Sequence, residues 1–167
     1  MTRTAVIVLL VVTAALLQTA LFPLLPFGGY RPDLLLLIAV AFAMREGPLT
    51  GTIVGFGCGL LTDLLLDGSP LGLYALVLLF LGYSVGVIRP YVAAASLTVP
   101  IATAFVTGVI AIAAYATLSR LLGDPRFTLD VVIPTALVVA IFNAILAVPA
   151  FALVGRLVAR FPSERPG

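Results

Sequence analysis

The stretch "GTIVGFGCGLLTDLLLDGSP", residues 51–70, decides the fold class. Gly51, Gly55 and Gly59 recur at every fourth position of an apolar run, and Asp63 and Asp67 continue the same spacing. A membrane-crossing helix needs about 20 mostly apolar residues, with a range of about 17–25, and the run from Leu49 to Leu66 falls within it. In lipid, helices gain little from burying apolar surface against one another, so they associate through close backbone approach. Two overlapping GxxxG motifs make such an approach possible. Each four-residue step overshoots a full turn by about 40°, so the glycines form a ridge that wraps slowly round the helix and suits a crossing partner. Two readings follow. The ridge packs inside the chain's own bundle, or it seats a helix from another protein.

Asp63 is the more informative of the two acids. It follows a long apolar run and precedes Leu64–Leu66, so it lies within the helix. A carboxylate at mid-bilayer costs about 2.5–3.5 kcal/mol on insertion scales and therefore faces the bundle interior or a wet cavity, paired or protonated. Arg31, Thr62 and Tyr74 are candidate partners. Asp63 is then an acid that bonds loop backbone and closes the helix, one half of a buried pair, or part of a proton or substrate pathway. Asp67 opens the Asp-Gly turn that follows. An aspartyl-protease dyad would need two carboxylates converging from separate elements, whereas Asp63 and Asp67 share one helix.

The rest of the chain carries the same signature. Its 167 residues are 62% hydrophobic and 10% charged, with a mean hydropathy of +1.27. A soluble domain carries roughly 25% charged residues, so most of this surface must face lipid. The expected spans are residues 5–22, 33–44, 49–66, 71–88, 97–118 and 131–158 of a single membrane domain, 1–167. The fold class is an all-α integral membrane protein of about six transmembrane helices in one bundle. The first span is too long for the apolar core of a signal peptide, about 7–15 residues. Asp33 after Pro32 starts the second span at the positive end of the helix dipole. That span is short, and is read as a crossing rather than a re-entrant helix. Ser69 caps the fourth, with Pro70 as its first residue.

Arginine placement sets the orientation. Arg3, Arg45, Arg89, Arg156, Arg160 and Arg165 fall on the side of the termini, and Arg31, Arg120 and Arg126 on the other. This puts both termini in the cytoplasm. Arg156 and Arg160, one turn apart, meet anionic headgroups or a cytoplasmic partner. Asn143, a lone amide within the sixth span, is expected to hydrogen-bond across helices.

Several function classes are excluded. The chain has no histidine and a single cysteine, Cys58, so ordinary zinc, haem and iron–sulfur sites lose their usual ligands. Ser-His-Asp and Cys-His arrangements are excluded for the same reason. No metal or cofactor is expected, and no nucleophile–base pair is visible, so the chain reads as a non-enzyme. A net charge of +2 leaves no footprint for nucleic acid.

Residues 32–86, "PDLLLLIAVAFAMREGPLTGTIVGFGCGLLTDLLLDGSPLGLYALVLLFLGYSVG", resemble the MreD family of rod shape-determining membrane proteins. The resemblance rests on Pro32-Asp33-Leu34, Arg45, Gly51, Gly55-Phe56, Gly59-Leu60-Leu61 with Asp63, Gly68-Ser69, Leu71-Gly72, Ala75-Leu76 and Gly82-Tyr83. Tyr74 stands where family members often have histidine. The resemblance implies a non-enzymatic scaffold of the bacterial cell-elongation complex in the cytoplasmic membrane. Such a scaffold binds the single-pass protein MreC and supports lateral peptidoglycan synthesis with RodA, its transpeptidase and MreB filaments. It also implies a helix arrangement similar to the S components of vitamin transporters. That makes a small-solute-binding transport component the alternative, which would need several polar groups converging on an enclosed pocket.

Overall fold

The computed structural model describes residues 3–21, 29–65, 71–92 and 98–161. Among them run six α-helices: α1 (Arg3–Leu16), α2 (Leu34–Glu46), α3 (Pro48–Leu65), α4 (Leu73–Ile88), α5 (Thr98–Leu121) and α6 (Leu129–Arg160). The segment Leu17–Leu21 continues α1 as a π-helical turn, and Arg89–Tyr91 closes α4 as a 3-10 turn. Among the described residues no strand occurs. The protein is an all-α, multi-pass membrane bundle.

Five of the helices are long and apolar enough to cross a membrane. The exception is α2, and the reading of residues 33–44 as a crossing is corrected: its 13 residues extend only about 20 Å against a hydrocarbon core of about 30 Å. It is the axis of the bundle, in contact with each of the other five helices. From Leu35 to Ala43 no residue is more than 5% exposed, so its all-round apolar surface meets protein rather than lipid. A helix buried on every side needs no polar face, which is why its composition looks like that of a lipid-facing span.

The helices alternate in direction. Arg3 at the start of α1 pairs with Glu46 at the end of α2, while Gln18 beyond α1 reaches Leu34 at the start of α2. Helix α6 runs parallel to α2: Asn143 meets Asp33, and Gly155 lies against the Arg45 guanidinium. Asn143 is about 21 Å along α6 from its first residue. The N-terminus of α2 therefore ends well inside the bundle, while α5 and α6 continue past it.

The glycine ridge lies on the seam between α3 and α4, the most extensive helix pair in the bundle. Gly51 faces the backbone of Gly82, Gly55 that of Leu78, and Gly59 that of Tyr74 and Ala75. A Cβ on any of the three would overlap main-chain atoms that cannot move aside. Of the two readings of the ridge, the seat for a foreign helix is corrected here, because α4 already fills it.

Candidate functional site

Sequence order scatters the lone polar residues of the apolar segments, and the fold gathers them around the buried starts of α2 and α4. Asp63 is 2% exposed. Its Oδ2 accepts from the backbone N–H of Gly72 at 3.0 Å and of Ala75 at 3.0 Å, and its Oδ1 from that of Tyr74 at 3.2 Å. The first N–H groups of a helix have no partner within it, and in lipid each such orphan is expensive. Gly72, in the N-cap position of α4, has no side chain to offer; its φ of 92° lies in the left-handed region that glycine tolerates. Asp63 supplies the acceptors from the neighbouring helix instead. Of its expected partners, Arg31 is exposed and Tyr74 contributes its backbone N–H. The expected start of α4 at Pro70 shifts to Leu73; Asp67 and Ser69 lie outside the described residues.

Asp33 caps α2 from within the chain, its Oδ1 accepting from Leu36 N–H at 2.9 Å. Gln18 Oε1 accepts from Leu34 N–H at 2.9 Å, covering a further orphan donor of the same turn. The backbone N–H of Asp33 donates to Asn143 Oδ1 at 2.8 Å, and the Tyr74 hydroxyl donates to Asp33 Oδ2. Tyr74 thus joins the two caps: its backbone is held by Asp63 and its hydroxyl holds Asp33. Its ring stacks edge-on against Tyr115 of α5, centroids 5.6 Å apart at 82°. Asn143 is fully buried, and its Nδ2 has no hydrogen-bond partner among the described residues.

Neither the contribution of Gln18 nor the pairing of Asp33 with Asn143 follows from the sequence. The available signal is that Gln18, Asp63 and Asn143 stand within apolar sequence and Asp33 at the edge of it, and polar groups of that kind seek one another inside a membrane. Tyr74→Phe removes one hydroxyl and leaves Asp33 Oδ2 without its donor. A buried acceptor left unpaired costs about 1–3 kcal/mol, so this variant is expected to melt measurably lower in detergent, and an unchanged transition would separate Tyr74 from the cap.

The opposite end of the bundle is basic. Arg45 lies against Gly155, Arg89 against Gly47, and Arg156 and Arg160 are exposed on the last turns of α6. Arg3 is neutralised by Glu46.

A bundle whose intramembrane polar groups bind helix ends to one another, with a basic collar at one end, defines a multi-pass membrane protein of structural type. The family model described as rod shape-determining protein MreD matches residues 1–157. The chain belongs to the MreD family, and its role lies in determining rod shape. No curated protein and no solved structure matches it.

Proposed function

We propose that the chain is a non-enzymatic scaffold of the bacterial cell-elongation complex. It holds the transmembrane helix of MreC in the cytoplasmic membrane and supports lateral peptidoglycan synthesis by RodA and its transpeptidase. The observation that carries this reading is the use made of the buried polar groups. Asp33, Asp63, Gln18 and Asn143 are engaged in capping and stitching helices, whereas a solute-binding component would turn such groups toward an enclosed pocket. The basic collar of Arg45, Arg89, Arg156 and Arg160 faces the cytoplasm, as arginine-rich ends do, where it meets anionic headgroups and the MreB side of the complex. With the glycine ridge occupied by α4, the MreC helix packs on a lipid-facing surface.

Affinity purification in mild detergent, followed by identification of what accompanies the chain, tests this. A single-pass protein with a large domain on the far side of the membrane is the expected companion. A vitamin-sized solute bound at stoichiometric level, with no such protein, would overturn the scaffold reading in favour of a transport component.

A further inference from the structure

Helices α5 and α6 approach each other closely at Gly108 and Ala140. Toward the end opposite the basic collar, the same pair leaves an open groove of about 290 Å³. Its floor is the buried pair Ala116 and Ala136. Exposed Ala113 and Ile133 form its walls, and Phe127 and Arg120 lie at its outer end. The small side chains of the floor leave the space unfilled.

Two features describe what fits. The first is length. The lining of α5 runs from Val109 to Arg120, about 16 Å along the helix, close to the depth of one leaflet in a hydrocarbon core of about 30 Å. A transmembrane helix from another protein would run the full bilayer, about twice the length of this lining. An acyl chain matches the lining. The second is charge. Arg120, next to last in α5, is exposed at the end of that apolar helix and has no carboxylate partner among the described residues. The nearby Arg126 is bound to Asp124 through Nε at 2.9 Å and Nη2 at 2.7 Å. Those side-chain hydrogen bonds hold the Asp124 carboxyl below the ordinary carboxylate range, so it stays charged and occupied by Arg126. Asp130 sits in the first turn of α6 and does not line the groove.

We propose that this groove binds a single anionic phospholipid, one acyl chain lying between α5 and α6 and the headgroup phosphate on the Arg120 guanidinium. The site is independent of the scaffold reading, since it needs only the bundle.

The test is native mass spectrometry of the full chain purified into detergent with added phosphatidylglycerol or phosphatidylcholine. One retained phosphatidylglycerol is expected, in preference to phosphatidylcholine. Arg120→Gln should reduce that preference about fivefold, the usual effect of one cation near a headgroup. Ala113→Phe, at an exposed wall position, should fill the groove and abolish retention of both lipids without lowering the melting temperature. Equal retention of the two lipids by the unaltered protein and by Arg120→Gln would overturn the proposal. So would Ala113→Phe that keeps its phosphatidylglycerol, including the case in which it loses a co-purifying single-pass protein instead.

Discussion

Gly55→Leu is expected to leave the protein unable to close its α3–α4 hairpin, with loss of the monodisperse folded form in detergent. A Cβ at this position would sit on the carbonyl group of Leu78. Main-chain atoms in the middle of a helix cannot rotate away as a side chain can, so the two helices would have to separate. Overpacking a well-filled interior costs about 1–3 kcal/mol and sometimes more, and a four-carbon side chain against backbone belongs at the upper end. Separation would also pull Gly51 from Gly82 and Gly59 from Ala75, because one rigid helix carries all three contacts. The control is Gly57→Leu on the same helix. Gly57 is exposed, and nothing lies within 4 Å of the position its Cβ would take. That variant should fold and melt like the unaltered protein. Size-exclusion profile and thermal unfolding read both variants, and a normally melting Gly55→Leu protein would take the ridge out of the seam. Loss of a binding partner by Gly55→Leu would therefore report unfolding and would not mark a contact surface.

Asp63→Ala should produce the second large effect. The substitution removes the acceptor of the backbone N–H groups of Gly72, Tyr74 and Ala75 together. Loss of a helix cap typically costs about 0.5–2 kcal/mol, and each buried donor left unpaired costs about 1–3 kcal/mol. A combined destabilisation of about 3 kcal/mol or more is expected. Asp63→Asn, which keeps one acceptor oxygen and the side-chain shape, should fall between Asp63→Ala and the unaltered chain. Thermal unfolding in one detergent, with all three proteins side by side, gives the order. If the asparagine variant proved as unstable as the alanine one, a single remaining acceptor would not suffice, and the cap would need both carboxylate oxygens.

The i, i+4 spacing of Gly51, Gly55 and Gly59 shows that they share a helix face, because that follows from helix geometry alone. Which helix approaches that face is a tertiary matter, and α4 was one candidate among several. Asp63 was recognisable as a residue in need of partners, since a lone carboxylate in lipid always is. Its partners turned out to be main-chain N–H groups, which every residue except proline carries and which leave no mark in a sequence. The link from Asp33 to Asn143 spans 110 positions, and no local pattern encodes a contact of that range.

Composition and periodicity by themselves determined that this chain is a helical membrane bundle and that its lone polar residues are buried. The tertiary structure alone decided which apolar surface meets protein and which meets lipid. The physical reason is that hydrocarbon tails and a protein interior are equally apolar, so α2, sealed at the centre of the bundle, and the outer helices present the same kind of side chain. Only the packing tells them apart.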